Sequence, residues 1–470
     1  MTVKRVMIAA LKSGSGKTLA TCALLQALKE RELRPLSFKC GPDYIDPLFH
    51  EEALGIPSKN LDTFFTDEEQ TKRLFLDHAA KGDFAVLEGV MGLYDGLGGI
   101  REEGSSYHLA KVTKTPIVLV ADMKGMGRSV IPMIAGFLDY DKEHLVQGVL
   151  LNRVSRGYYE MVKPWIEEEL KIRVVGFLPE KEELYMKSRH LGLVMPDGGE
   201  DIRRKLRIAA EEWEKTVSME DILGIAAGAE PLTIRKTERN GERRLARGKN
   251  RPVIAVARDE AFCFYYADNI RMLEECGAEI RYFSPLRDQR LPGKCHGLLI
   301  GGGYPELYAE ELSRNIEMRR AVREASKSGM PVVAECGGFL YLHSAMMGRD
   351  GGSYEMAGVL PAVCYDTGRS VRFGYIEIRE KKSCFLPEGE KIKGHEFHYY
   401  DSSDNGSGAI ATKPATGREY SCMIEDETHW MGFPHLYYPS NPAFAESFVG
   451  KAAKYAARGW KENEKFLSFF

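Results

Sequence analysis

The first segment that could do chemistry is a glycine-rich loop at residues 12–18, Lys-Ser-Gly-Ser-Gly-Lys-Thr. An apolar run that predicts a strand precedes it, and a helical pattern follows it. In this context Gly14 and Gly16 allow backbone N–H groups to approach phosphate oxygens, and the helix N-terminus adds a favourable dipole. Lys17 would contact the terminal phosphates and Thr18 would ligate magnesium. A standard phosphate loop also has glycine at the position of Leu11, so the segment predicts an ATP-binding loop of variant spacing, the alternative being a turn without nucleotide.

Two predicted strand ends supply further groups for a nucleotide. The apolar run from Phe84 ends in a single acid, Glu88, at the sheet edge where the phosphate loop also lies. A carboxylate there would hold magnesium or its water, unless it is simply an exposed acid at a strand end. Asn152 ends another predicted strand, where its amide would contact the base of the nucleotide or cap a helix.

A third group of candidates follows the predicted strand PLSFK, in the segment CGPDYIDPLFH. Loops beyond strand ends are where open α/β sheets bind ligands. The segment therefore predicts a substrate contact by Asp43, Tyr44, Asp46 and His50. The alternative is a solvated turn whose aspartates cap a helix.

The second chemical centre is a cysteine in the stretch PVVAECGGFLYL. A short β-branched run ends at Cys336, glycines follow at 337 and 338, and a helical pattern begins, which is the arrangement of a nucleophile elbow. The helix N-terminus is expected to favour the thiolate. Backbone N–H groups at Gly337 and at Gly303, in the upstream segment IGGGYPEL, would form an oxyanion hole. A lone cysteine is more often a small core residue, but this context favours a nucleophile.

A nucleophilic cysteine needs a base, and the downstream histidines supply candidates. His435 in GFPHLYYPSNP is the preferred one, and His395 and His398 in KGHEFHYY compete with it.

The elements that must position these groups form two α/β regions. Strand-like runs alternate with helical patterns in residues 1–222 and again in 251–470, whereas residues 223–250 are polar, basic and without apolar periodicity. The pattern predicts an α/β fold of two domains, each with a parallel sheet, joined by a linker.

The composition supports this interpretation. The chain has 470 residues, 44% hydrophobic and 28% charged, which is typical of a globular protein of two or three domains. A net charge of −3 argues against nucleic acid as a partner. Nine cysteines without a C-x-x-C pair indicate neither a disulfide framework nor a zinc knuckle, and no apolar run approaches a membrane span. We therefore expect a reduced, cytoplasmic environment.

The loop K-x-G-x-G-K-T resembles the deviant Walker A motif of the dethiobiotin synthetase, Min/Par and nitrogenase iron protein superfamily. In that superfamily a lysine at the place of Lys12 can reach a nucleotide across a dimer interface. The resemblance therefore implies an ATP contact by Lys12, and a homodimer is an expectation.

The segments CGPDYIDPLFH, LEGVMGLYDG, IGGGYPEL, AECGGFLYL and GHEFHYY together resemble the cobyrinate a,c-diamide synthase family over almost the whole chain. That family joins a dethiobiotin synthetase-like ATP domain to a class I glutamine amidotransferase-like domain of the cobyric acid synthase type. The resemblance implies a ligase that uses ATP, Mg²⁺ and L-glutamine to amidate the a and c acetates of a corrinoid through acyl phosphates. It implies Cys336 as the nucleophile and His435 as its base.

Two positions depart from the general class I amidotransferase pattern. Ala334 stands where the elbow usually has glycine, and Tyr437 stands where an acid usually follows the histidine. Either Cys336 and His435 act as a dyad, or an acid from elsewhere, with Glu396 one candidate, orients the imidazole.

Several alternatives stay open at this point. Relatives that amidate nickel-sirohydrochlorin or hydrogenobyrinate share these motifs. Basic residues such as Arg189 and His190 are candidates for macrocycle contacts. A P-loop partition-type switch ATPase would explain Lys12 but has no use for the second domain. A stand-alone glutaminase or peptidoglycan-type amidotransferase would not carry the phosphate loop.

Overall fold

A computed structural model describes residues 3–184, 200–234 and 251–467. The chain divides into two compact units, residues 1–236 and 237–470. Arg189 and His190 lie outside the described residues. Among the helices in the described part of the chain, none combines the length and apolarity that a membrane span requires.

The first unit is built on a parallel sheet of seven strands in the order β3-β2-β4-β1-β5-β6-β7. Its strands are almost entirely buried because helices cover both faces, as in other parallel sheets. The parallel α/β sheet predicted for this region is confirmed. The strands are β1 (Arg5–Ala10), β2 (Pro35–Cys40), β3 (Ser58–Leu61), β4 (Phe84–Glu88), β5 (Ile117–Asp122), β6 (Val146–Asn152) and β7 (Val174–Leu178).

Most helices of this unit follow a strand, and several begin at a side-chain cap. The Asp67 and Ser105 side chains, for example, accept hydrogen bonds from backbone N–H groups in the first turns of α3 and α4. The helices are α1 (Lys17–Glu30), α2 (Ile45–Leu54), α3 (Glu68–Ala79), α4 (Ser106–Val112), α5 (Val130–Tyr140), α6 (Arg156–Leu170), α7 (Glu200–Thr216) and α8 (Met219–Ala227).

Helix α8 extends into the segment that the sequence analysis places in the linker. Residues 223–227 form the last part of this helix. Ser218 caps its N-terminus, and Ile222 and Ala226 bury an apolar face in the core of the first unit, which stabilises the helix beyond residue 222. Residues 235–250 of the predicted linker lie outside the described part of the chain.

The second unit has a mainly parallel six-stranded sheet in the order β20-β21-β11-β10-β8-β9, with β20 antiparallel at one edge. Two smaller sheets accompany it, in the orders β13-β12-β14-β17 and β19-β18-β15-β16-β22. The strands are β8 (Val253–Ala257), β9 (Glu279–Phe283), β10 (Gly297–Ile300), β11 (Val332–Glu335), β12 (Ala345–Met347), β13 (Ser353–Glu355), β14 (Val363–Asp366), β15 (Arg372–Glu380), β16 (Lys391–His398), β17 (Tyr400–Ser402), β18 (Ala409–Thr412), β19 (Glu419–Cys422), β20 (Ile424–Glu425), β21 (His429–Gly432) and β22 (His435–Leu436). The helices are α9 (Ala267–Glu275), α10 (Ala309–Arg314), α11 (Ile316–Lys327), α12 (Gly337–Leu342) and α13 (Ala443–Leu467).

Candidate active sites

The glycine-rich loop joins β1 to α1, as predicted. Gly14 and Gly16 have φ of 74° and 93°, a backbone conformation that glycine adopts without strain. A Cβ at Gly16 would lie 2.1 Å from Nδ2 of Asn152, and this Nδ2 donates a hydrogen bond of 2.8 Å to the Ser15 carbonyl. Asn152 therefore braces the loop itself, and its contact with a nucleotide base stays a prediction.

Lys12, the first residue of this loop, and Arg153 make further contacts with the loop backbone. Lys12 is exposed, and its carbonyl accepts a hydrogen bond of 3.0 Å from the Ser15 hydroxyl. Arg153, which the sequence analysis missed, donates to the Gly14 carbonyl at 3.2 Å and forms an ion pair with Asp122 at the end of β5. Asn152 and Arg153 therefore both restrain the glycine-rich loop, through the carbonyls of Ser15 and Gly14.

The two residues that follow the loop reach the end of β4. Lys17 is buried and donates a hydrogen bond to the Met91 carbonyl, and the Thr18 hydroxyl donates to Glu88 Oε1 at 2.7 Å. Burial, together with the charge of Lys39, lowers the pKa of Lys17 to about 8. The structure therefore brings together Thr18 and Glu88, the predicted metal ligands.

Lys39 is a residue of this site that the sequence analysis missed. It lies opposite Glu88 in the β2–β4 ladder, and its Nζ is 2.9 Å from Glu88 Oε1 and 2.5 Å from Asp46 Oδ2. Burial alone would lower the pKa of Lys39, but the charges of Asp46 and Glu88 outweigh it and raise the pKa well above normal. The sequence feature that could have identified Lys39 is its position near the end of a buried strand, just before a glycine-proline turn.

The four predicted substrate residues take different positions. Asp46 pairs with Lys39, and His50 is buried, with Nδ1 2.8 Å from the Ser37 hydroxyl and Nε2 3.4 Å from Glu88 Oε2. Asp43 accepts hydrogen bonds from the N–H groups of residues 45 and 46, which is the capping alternative, and Tyr44 is buried at the start of α2. Asp46 and His50 thus converge on Glu88.

The donor atoms around Glu88 fit a magnesium ion in chemistry. A threonine hydroxyl and the carboxylates of Glu88 and Asp46 are hard oxygen ligands. Burial alone would raise the pKa of Glu88, but the Lys39 ammonium and the hydrogen bonds from His50 and Thr18 hold it well below its usual range. Glu88 is therefore ionised, as a metal ligand must be.

In the second unit, β11 leads directly into the predicted elbow. Cys336 has φ 48° and ψ −104°, a strained conformation for a non-glycine residue, and α12 begins at the next residue. The Cys336 N–H donates to the Gly432 carbonyl at 2.8 Å, which ties the elbow to β21. This is the backbone geometry of a nucleophile elbow.

The Gly301–Gly303 loop packs against the elbow. A Cβ at Gly337 would lie 3.1 Å from the Gly303 nitrogen, and one at Gly338 would lie 2.0 Å from the Ile300 carbonyl oxygen. The Gly338 N–H donates to the Gly301 carbonyl at 2.9 Å. The structure thus places Gly303 beside Gly337, the two predicted oxyanion-hole residues.

His435 adjoins the same loop. A Cβ at Gly302 would lie 2.3 Å from His435 Cε1, so only glycine leaves room for the imidazole. His395 lies directly opposite His435 in the β16–β22 ladder, whereas His398 stacks on Phe433 and its Nδ1 lies 2.6 Å from the Tyr400 carbonyl. Burial, followed by the charge of His398, lowers the pKa of His435 to about 3, so the imidazole is neutral and can accept a proton.

Glu335 is another residue that the sequence analysis missed. It immediately precedes Cys336, its Oε2 lies 4.0 Å from His435 Nδ1, and its Oε1 accepts a hydrogen bond of 3.4 Å from the Leu436 N–H. Burial raises its pKa to about 8. Glu396, the acid considered from sequence, instead contacts Arg372, Lys413 and Tyr420.

One expectation about the nucleophile is wrong. Burial, with a further contribution from the charge of Glu306, raises the pKa of the Cys336 thiol well above normal. These effects outweigh the short α12 helix, so the thiol is protonated at neutral pH in the absence of substrate.

Comparisons with known proteins match both units. Residues 6–193 match the CobQ/CobB/MinD/ParA nucleotide binding domain, and residues 253–432 match the CobB/CobQ-like glutamine amidotransferase domain. Cobyrinate a,c-diamide synthase of Caldanaerobacter subterraneus subsp. tengcongensis is 39% identical over 435 residues, which are 92% of this chain and 94% of the relative. The enzymes of the same name from Priestia megaterium and Picrophilus torridus are 35% and 37% identical, over 97% and 96% of this chain and 98% and 99% of the relatives.

Proposed function

Since the chain belongs to the cobyrinate a,c-diamide synthase family, we propose that it amidates the a and c acetate carboxylates of cobyrinate in cobalamin synthesis, with ATP and L-glutamine as co-substrates. The observation that carries the proposal is the presence of both chemical centres in one chain: a phosphate loop with Thr18 on Glu88, and a cysteine elbow beside His435. We assign the synthetase to residues 1–222 and the glutaminase to residues 251–470.

In the glutaminase, Cys336 attacks the side-chain amide carbon of glutamine while His435 accepts the thiol proton. The N–H groups of Gly303 and Gly337 are the proposed donors to the oxyanion, and their proximity supports the assignment. His435 then returns the proton to the departing ammonia. Water hydrolyses the glutamyl thioester, so each cycle releases one glutamate and one ammonia.

In the synthetase, the loop residues Gly14, Gly16 and Lys17 bind the phosphates of ATP, with Lys12 and Asn152 as further proposed contacts. Thr18 and Glu88 would hold Mg²⁺, which neutralises charge on the phosphates as the γ-phosphoryl group is transferred. A substrate carboxylate oxygen attacks the γ-phosphorus and ADP leaves. Ammonia then attacks the acyl phosphate carbon and phosphate leaves, which forms the amide. Asp43, Tyr44, Asp46 and His50 are proposed for the substrate side of this centre.

The same chemistry serves other macrocycles, namely nickel-sirohydrochlorin and hydrogenobyrinate. The names of the relatives favour cobyrinate over these. A partition-type switch ATPase is disfavoured because residues 253–432 match a glutamine amidotransferase domain. Dimerisation, with Lys12 contacting the partner's nucleotide, stays a proposal.

The test measures product mass and ATP hydrolysis with Mg²⁺ and glutamine, using cobyrinate and nickel-sirohydrochlorin in parallel. Wild type should convert cobyrinate to the diamide, and Cys336→Ala should do so only with added ammonia. Conversion of the nickel tetrapyrrole alone would change the assigned substrate, and the lack of any macrocycle-dependent turnover would contradict the synthetase assignment.

A further inference from the structure

Three side chains that can bind a metal converge in the second unit, and none of the steps above uses them. Glu380 is the last residue of β15, Cys384 lies in the turn that follows it, and Glu425 belongs to β20. One carboxylate oxygen from each glutamate and the Cys384 Sγ all lie within 4.8 Å of one another. Two atoms that each bind a zinc ion at about 2.0–2.3 Å lie no more than about 4.6 Å apart. The three side chains therefore need only a small adjustment to surround an ion.

The turn that carries Cys384 also holds Glu380 in place. The Glu380 side chain is buried, and its Oε1 and Oε2 accept hydrogen bonds of 3.1 and 3.3 Å from the N–H groups of Cys384 and Leu386. Each carboxylate oxygen has two lone pairs, so each keeps one for a further partner. The first carboxylate and the thiol are thus fixed relative to each other, and both retain the capacity to bind a metal.

The Glu425 carboxylate provides the independent evidence for a ligand. Both of its oxygens are buried, and neither has a hydrogen-bond partner among the residues that the structure describes. Gly408 makes room for this carboxylate, since a Cβ there would lie 2.1 Å from Glu425 Cγ and 2.8 Å from its Oε1. Burying a carboxylate without a partner is costly. Glu425 therefore either shares a proton with Glu380 or binds a cation.

The charges around the group favour a cation. Burial and the charge of Glu380 raise the pKa of Glu425 to about 8. The charges of Lys381 and Lys382 oppose this rise without cancelling it, and the Lys381 ammonium itself donates a hydrogen bond of 2.9 Å to the Ser407 carbonyl. At neutral pH the two carboxyl groups therefore hold a proton that a divalent cation would displace.

We propose that Glu380, Cys384 and Glu425 form a zinc site that ties the turn after β15 to β20. The thiolate ligand favours Zn²⁺ over Mg²⁺, and the three protein ligands leave a fourth tetrahedral position for water. When the ion binds, the thiol and the glutamate pair release their protons to solvent. Because β15 and β20 belong to different sheets, the ion joins two sheets of the second unit. The inference does not depend on the proposed reaction.

The test titrates untagged, chelator-treated full-length protein with Zn²⁺ and with Co²⁺, and measures bound metal by plasma mass spectrometry. Wild type should bind Zn²⁺, and Co²⁺ should give the near-ultraviolet charge-transfer absorption of a cobalt–thiolate bond. Cys384→Ser should abolish this absorption, and Glu425→Gln should weaken Zn²⁺ binding by about 100-fold. Cys295→Ser, at another half-buried cysteine, is the matched control and should bind both metals as wild type does.

Zn²⁺ should also stabilise the folded protein. At a free Zn²⁺ concentration of about 100 times the dissociation constant, the thermal midpoint of wild type should rise by about 5–10 °C, and that of Glu425→Gln should rise much less. Cys336→Ala should keep the cobalt–thiolate absorption, which provides a second test if Cys384→Ser does not fold.

Three results would overturn the inference. Loss of the cobalt–thiolate absorption in Cys336→Ala would place the metal at the cysteine elbow. Unchanged binding in both Cys384→Ser and Glu425→Gln would place it elsewhere in the chain. A wild-type protein that binds no Zn²⁺ would show that Glu380 and Glu425 only share a proton.

Discussion

His435 Nδ1 lies 4.0 Å from Oε2 of Glu335, the residue that immediately precedes Cys336. The acid that usually follows the histidine in class I amidotransferases is replaced here by Tyr437. Glu335 brings a carboxyl group towards His435 from a different strand, and its other oxygen accepts a hydrogen bond from the Leu436 N–H. An acid in this position would orient the imidazole and stabilise the imidazolium that forms when Cys336 loses its proton.

Glu335→Gln is expected to reduce the kcat for glutamine hydrolysis by about 100-fold. The pKa of Glu335 is raised to about 8, so the carboxyl gains its charge as pH rises through that value. We therefore expect wild-type kcat/KM to increase across pH 8 and the variant to lose that part of the increase. Ammonia-supported amidation should persist. Equal pH profiles for the two proteins would contradict a positioning role.

Lys39→Met is expected to lower the free energy of unfolding of the first unit by about 3–5 kcal/mol, because the buried carboxylate of Glu88 would lose the cation that pairs with it. Urea unfolding at pH 7 measures the change. Lys142→Met, at an exposed position, is the matched control and should shift stability by less than about 0.5 kcal/mol.

Removing the charges of Glu88 and Asp46 as well tests whether an unpaired buried charge explains the loss of stability. The triple variant Lys39→Met, Glu88→Gln, Asp46→Asn should recover part of the lost stability, since no buried charge then lacks a partner. Additive destabilisation by the three substitutions would show that packing, rather than charge, explains the effect.

The sequence predicted the groups whose spacing within one segment defines their geometry. The phosphate loop, the single acid ending β4 and the Cys-Gly-Gly turn are local patterns, and the structure places Thr18 on Glu88 and Gly337 beside Gly303. Lys39 and Glu335 were missed because both occupy strands whose apolar pattern predicts burial, and only the pairing of distant strands shows what they face.

The antiparallel sheets of the second unit were missed for a related reason. The two long strands of these sheets, β15 and β16, alternate charged and apolar residues over part of their length. Several of the other strands are only two to four residues long. Such short runs have no periodicity that separates them from loops. Their register, which places His395 opposite His435, depends on contacts between residues far apart in the chain.

Gly338→Ala is expected to abolish glutamine-dependent activity and to destabilise the second unit. The added methyl group would lie 2.0 Å from the Ile300 carbonyl oxygen, so the backbone would have to shift to accommodate it. Gly136→Ala is the matched control. Gly136 is exposed in α5 with open space around its Cβ position, so alanine should stabilise that helix by about 0.5–1 kcal/mol. Thermal unfolding and glutamate release measure both effects, and normal glutaminase activity in Gly338→Ala would contradict the packing described for the elbow.

The buried histidines of the second unit predict its response to acid. His395 and His435 have pKa values lowered from 6.5 to about 3, with burial the main cause. Below pH 6.5 the unfolded chain binds protons at both residues while the folded chain does not, so stability must fall as pH drops from 6.5 towards 3. Each residue contributes up to about 1.4 kcal/mol per pH unit. Urea unfolding at pH 7, 6, 5 and 4 should show this loss, and His435→Gln should reduce the slope by up to one proton. An unchanged slope in that variant would show that folding does not lower the pKa of His435, which would contradict the effect described for its burial.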